Sequence, residues 1–177
     1  MQNHKEEIKL VLNQNFIDIL LISEIHFTTK NYLSTPRYRL YYINHPDGTA
    51  HGGTAILIKE TIEQYELLKY EEDSIQATPI KVKGFPYEIT ITAVYCPPRR
   101  NLKKEQFETF FQTLGPKFIA GDDYNSKHTL WGSHLTTAKG RKLSKTIQEK
   151  TIHFYQLEHQ HTGLLTETKS RIYWISL

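Results

Sequence analysis

The sequence predicts an α/β fold in which two mixed β-sheets pack on each other with helices outside them. Three observations carry that prediction. An amphipathic segment leads into a run too apolar to alternate, the middle of the chain is strand-patterned, and two later helical patterns flank a short apolar run. Helices interleaved with buried strands make layers, because each element has to hide an apolar face against another.

The elements follow in order. Lys5 to Leu12 carries Ile8, Val11 and Leu12 among charges, the spacing of an amphipathic helix. Phe16 to Ile22 is apolar throughout apart from Asp18, as a strand covered on both faces is. Tyr38 to Ile43 reads as a second strand, with a turn at Pro46-Asp47-Gly48. Gly52-Gly53 then opens a third over Thr54 to Ile58. Ser74 to Val82 alternates weakly and Tyr87 to Tyr95 well, the latter placing Tyr87, Ile89, Ile91, Ala93 and Tyr95 on one face. Pro97-Pro98 ends that strand, since neither ring nitrogen can donate to a ladder. Lys103 to Leu114 predicts a helix with Phe107, Phe110, Phe111 and Leu114 inside, and Ala138 to Lys150 a basic helix burying Leu143 and Ile147.

Composition narrows the class. A chain of 177 residues suits one domain, taken as 1–177 with a divergent stretch over 151–177. An apolar fraction of 38% with 12% aromatics argues for a packed core and against disorder. The net charge of +3 is compatible with a polyanionic partner without requiring one. Cys96 is the only cysteine, which excludes an internal disulfide and a cysteine-rich zinc site. The polar start Met1 to Glu7 is no signal peptide, and no apolar run approaches the ~20 residues of a membrane span. A soluble, intracellular domain with no membrane partner is expected.

The chemistry concentrates at strand ends. The apolar run Phe118-Ile119-Ala120 stops at Gly121, and Asp122-Asp123-Tyr124-Asn125 follows. Residues i and i+2 of an extended segment point the same way, so Asp123 and Asn125 can face one point. Asp123 then offers a proton acceptor or a metal-linked anion, and Asn125 a hydrogen-bond donor. The pair suits a phosphodiester, where water must be aligned and a phosphoryl group stabilised; equally, Asp and Asn are ordinary turn formers. Glu24, just beyond the first strand, is a candidate ligand for a hard cation held by one or two carboxylates plus water. It can equally be a loop cap. Tyr95 can donate to a phosphate oxygen or simply line a sheet rim.

These strand ends, in this order, resemble the endonuclease/exonuclease/phosphatase superfamily, and most closely the endonuclease domain of jockey-like non-LTR retrotransposons, relatives of apurinic/apyrimidinic endonucleases. The residues that carry the resemblance are Ile19 to Phe27 with Ser23-Glu24-Ile25-His26, Pro46 to Ile58, Ala93 to Pro98, Gly121 to Ser133, and Lys139-Gly140-Arg141. The resemblance implies a four-layer α/β/β/α sandwich and Mg²⁺-dependent (or Mn²⁺-dependent) nicking of DNA, in the nucleus where the target is genomic. It implies Glu24 as metal ligand, Asp123 as the group that orients or deprotonates water, Asn125 as its transition-state partner and Tyr95 as a phosphate contact. Asp122 stands where relatives more often carry glycine. His26, His128, Lys139 and Arg141 are candidate DNA contacts, and the reverse transcriptase region of a parent element is an implied partner. The basic helix Lys139, Arg141, Lys142, Lys145 and Lys150 either tracks a DNA backbone or forms a solvated face.

The sequence also departs from the family pattern. No residue matches an early metal-holding Asn, Tyr173 stands where a late Asp is expected, and no terminal His follows it. His153, His159 and His161 lie in the divergent stretch and match no family position. The resemblance therefore implies a sandwich incomplete at its N- and C-termini, with apolar sheet edges, and a partial or catalytically impaired copy. The alternative is a non-catalytic nucleic-acid- or protein-binding remnant of the same fold.

Overall fold

The computed structural model describes residues 8–12, 17–27, 33–45, 52–84, 86–152, 162–165 and 172–176. In chain order these form helical turn α1 (residues 8–12) and strands β1 (Ile19–Ser23), β2 (Tyr38–Ile43), β3 (Thr54–Lys59), β4 (Gln64–Glu66), β5 (Tyr70–Glu71), β6 (Gln76–Lys83) and β7 (Glu88–Tyr95). Helix α2 (Lys104–Thr113), strand β8 (Phe118–Asp123), a 3₁₀ turn (Thr129–Trp131), helix α3 (Ala138–Glu149), and strands β9 (Thr162–Leu165) and β10 (Ile172–Ser176) complete the series. The Pro46–Gly48 turn, Phe16, and His153, His159 and His161 fall outside the described residues.

Two sheets result. One runs β2-β3-β1-β10-β9 and the other β4-β6-β7-β8, with β5 also on β6. Strand β1 is antiparallel to β3 and parallel to β10, so the most apolar strand has a described neighbour on both sides. Among the described residues β8 pairs with β7 alone, in parallel. Tyr173, in the place of the expected Asp, pairs with Leu20 in the β10–β1 register.

Three separate apolar clusters show four layers. Between the sheets lie Ile19 and Leu21 of β1, Ile56 and Ile58 of β3, Ile80 and Val82 of β6, and Ile91 and Ala93 of β7. The intervening residues Leu20, Ile22, Ala55 and Leu57 turn to the opposite face and pack with Ile8 and Leu12 of α1. Beyond the second sheet, Ala77 and Val94 meet Phe107, Phe110 and Phe111 of α2 and Leu143 of α3. Strands covered on both faces explain why β1 and β3 read as near-continuous apolar runs. The strand expected from Phe16 begins later, at Ile19, because Asp18 turns its carboxylate to Lys59 Nζ at 2.7 Å and its carbonyl to Lys59 N.

Cys96 sits in the helix-side cluster with no exposure, and burial pushes its thiol up to about 12 from 9.0, with Lys139 opposing and Asp123 adding to the rise. Burial also carries the Tyr70 phenol to about 12 from 10.0, aided by Glu72. Both groups are held protonated. Their contribution to stability is complete below the unfolded-chain values and is lost as pH rises through the folded ones. Urea midpoints are therefore expected to fall between about pH 9 and pH 12, and Cys96 to resist a thiol reagent at pH 8 until denaturant is added. Rapid labelling of the native protein would contradict this packing.

Candidate active site

The four residues expected to act together converge at one end of the sandwich. Glu24 follows β1, Tyr95 ends β7, Asp123 ends β8 and Asn125 lies two residues on. The β7–β8 register places Tyr95 opposite Asp123, and Cys96 N donates to Asp123 O at 2.9 Å, so the two strand ends are locked together. The Tyr95 hydroxyl lies beside the Glu24 carboxylate, which brings the second sheet's strand end to the first's.

Asp123 and Asn125 form a closed clamp. Asn125 N donates to Asp123 Oδ1 and Asn125 Nδ2 to Oδ2, each at 2.7 Å. Each carboxylate oxygen keeps lone-pair capacity for a water, and the amide keeps a second N–H. Burial raises the Asp123 pKa and the charge of Glu24 adds to the rise, while the two Asn125 hydrogen bonds and Lys139 hold it back. Burial, followed by Glu24 and Asp123, pushes the Tyr95 phenol far above its usual range, so it stays a donor.

The backbone here is under strain. Glu24, His26 and Asn125 have φ of 53°, 48° and 46°, in the left-handed region, where non-glycine residues are uncommon. Such geometry costs about 1–3 kcal/mol per residue and gathers at functional sites. Asn tolerates it best. Gly52 and Gly53 sit at φ 64° and 76° beside the same site. A Cβ on Gly52 would come within 3.0 Å of Gln76 Oε1 and of the Tyr95 ring.

Gln76 was not singled out from sequence. It is fully buried, pairs with Tyr95 across β6–β7, and accepts from Gly53 N at 2.7 Å through Oε1. Among the described residues its Nε2 has no partner, and neither has the buried Ser23 hydroxyl beside Glu24. No residue pattern signals such a carboxamide in advance.

The candidate DNA contacts separate. His128 is half-buried, accepts from Leu130 N at 3.1 Å through Nδ1, and lies 5.0 Å ring to ring from Trp131. Trp131 ties the loop down by donating to Ser126 O at 2.8 Å. His26 is half-buried, its N–H on Gly52 O, and Arg141 is exposed at the start of α3. Lys139 does not belong to a solvated face: it is 5% exposed, and its ammonium donates to Pro97 O at 2.6 Å.

A divalent cation can be tested against this donor set. Among the described residues no group of three or more His, Cys, Asp or Glu side chains is placed to hold a metal. The donors present, the Glu24 and Asp123 carboxylates, are of the type an ion such as magnesium takes, bound through one or two carboxylates and otherwise by water. The orphaned Ser23 Oγ and Gln76 Nε2 lie at the strand ends carrying Glu24 and Tyr95, and waters around such an ion would be partners for them.

The fold is thus a two-sheet sandwich with an acidic, amide-clamped site at its strand ends. Residues 89–172 match the family model described as endonuclease-reverse transcriptase. Over 142 residues, 80% of this chain, it is 32% identical to the RNA-directed DNA polymerases from mobile element jockey of Drosophila funebris and of Drosophila melanogaster. It is 30% identical to the probable RNA-directed DNA polymerase from transposon X-element of Drosophila melanogaster. The chain spans 16% of the length of these relatives. The solved endonuclease domain of TRAS1, a telomere-specific non-LTR retrotransposon, superposes with a TM-score of 0.63 at 21% identity, over 93% of this chain and 68% of that one. By these matches the chain is similar to jockey-type mobile-element proteins over most of its length and shares the fold of a non-LTR retrotransposon endonuclease domain. Among the described residues no helix is long and apolar enough to cross a membrane.

Proposed function

We propose that this domain nicks DNA by metal-dependent hydrolysis of a phosphodiester. The observation that carries the reading is the Asp123–Asn125 clamp facing the Glu24–Tyr95 pair across the ends of the two sheets. Asp123, half-buried and with free lone pairs, orients a water and accepts its proton. The water oxygen forms the new bond to phosphorus, the bond to the 3′-oxygen breaks, and that oxygen takes up a proton from solvent, so that a 3′-hydroxyl and a 5′-phosphate result. Asn125 through its second N–H, and the protonated Tyr95 once its O–H turns from Glu24 to the phosphate, donate to the phosphoryl oxygens as charge develops there. Glu24 would hold a Mg²⁺ or Mn²⁺ ion, which when bound supplies positive charge for the same oxygens.

The relatives are RNA-directed DNA polymerases of mobile elements. A reverse transcriptase in the parent element would extend the 3′-hydroxyl as its primer, with genomic DNA in the nucleus as the target. Supercoiled plasmid incubated with the purified domain and Mg²⁺ is expected to relax to the nicked form, and EDTA to stop the conversion. Folded protein that leaves the plasmid supercoiled in both conditions would sink this reading, and the binding remnant would stand in its place.

A further inference from the structure

Among the described residues Lys139 is the only buried charged side chain, and its ammonium enters no ion pair there. Burying an unpaired cation costs several kcal/mol, and an apolar side chain of similar length would avoid the cost. The helix does not explain it either. Lys139 is in the first turn of α3, where a cation opposes the helix dipole. At 5% exposure it is no contact for a DNA backbone. What remains is what the ammonium holds: Pro97 O at 2.6 Å, two residues beyond Tyr95. Between them Cys96 donates its N–H to Asp123 O. On the same turn of α3, Gly140 lies against Lys127 O, two residues beyond Asn125.

We propose that Lys139 is a positioning residue, whose ammonium pins the end of β7 beside the Asp123 turn so that Tyr95 and Asp123 keep addressing one phosphate. The charged groups around it agree. Burial lowers the lysine's pKa while Cys96 and Asp123 raise it, and Lys139 in turn offsets the rise at Asp123. The proposal rests on the nuclease reading for its catalytic consequence but not for its geometry.

The test compares Lys139→Met and Lys139→Arg with the natural protein in plasmid nicking, thermal unfolding and urea unfolding. Lys139→Met is expected to keep or raise Tm, since apolar replacement of a buried charge is often neutral or stabilising. Its kcat should fall about 10²-fold, the scale of a 1 Å misplacement. KM and salt dependence should hold, and Arg should restore most of the rate. A raised KM and a salt slope smaller by about one at constant kcat would make Lys139 a DNA contact and overturn the proposal. So would a lower Tm with an undiminished rate. If the natural protein never nicks, a urea-midpoint cycle of Lys139→Met, Asp123→Asn and the double variant decides the matter. Non-additive shifts keep the positioning role while the nuclease reading falls, and additive shifts end the proposal.

Discussion

Replacing Asp123 with Asn is expected to slow nicking by about 10²–10⁴-fold, the range of a lost general base. The change keeps the shape of the side chain but removes its charge, and it disturbs the clamp as well. Asp123 accepts from Asn125 through both oxygens, and an amide in its place must point one NH₂ at another donor. The turn that holds Asn125 at φ 46° then loses one of the two bonds that offset its strain. Asn125→Ala attacks the same unit from the other side, removing the Nδ2 donor and the residue type most tolerant of that backbone. Because the two act as one device, their losses will not multiply: the double variant should be about as slow as Asp123→Asn alone. Gel-resolved nicking rates for the two singles and the double measure this. A double variant slowed by the product of the single effects would show independent roles and refute the clamp as the working unit.

The layers were legible because covering a strand on both faces leaves a continuous apolar signature. β1 and β3 carried it, and the Phe107, Phe110, Phe111 stripe marked α2 as a lid on the second sheet. The acidic and amide residues of the site were singled out by their place right after buried strands and by the order in which those strand ends occur, since Asp, Asn and Glu taken singly are ordinary turn formers and caps there. Lys139 was different. A lysine in a helix with other basic residues reads as solvated, since burial depends on what the helix meets, and Pro97 lies 42 residues away. Gln76 was hidden for the same reason. One polar residue at the start of a strand shows nothing of the Gly53 N–H it meets 23 residues away. Left-handed backbone at Glu24 and His26 was equally silent, because neither residue type announces it.

A glycine inside α3 carries the second large prediction. Gly140→Ala is expected to destabilise the domain by about 3 kcal/mol, although Gly→Ala inside a helix normally stabilises by about 1. The sign reverses because a Cβ on Gly140 would stand 1.9 Å from Lys127 O and 2.7 Å from its carbonyl carbon, both backbone atoms that cannot swing aside. The same corner is already tied by Thr137 N on Lys127 O at 2.9 Å and by the Thr137 hydroxyl capping Gly140 N at 3.0 Å. Adding a methyl group therefore forces α3 away from the loop that follows Asn125. For a chain of this size a loss of that order lowers Tm by about 10 °C. Gly115→Ala makes the contrast. Gly115 follows α2 at φ 78° with nothing within 4 Å of its would-be Cβ, so only the left-handed backbone opposes the change, at about 1–2 kcal/mol. Thermal scans of the two variants separate contact from conformation. Gly140→Ala should melt well below Gly115→Ala, and should also nick more slowly at temperatures where both are folded. Equal melting points, or a Gly140→Ala protein stabilised as its helical position alone would suggest, would mean that the α3 corner does not press on the catalytic loop.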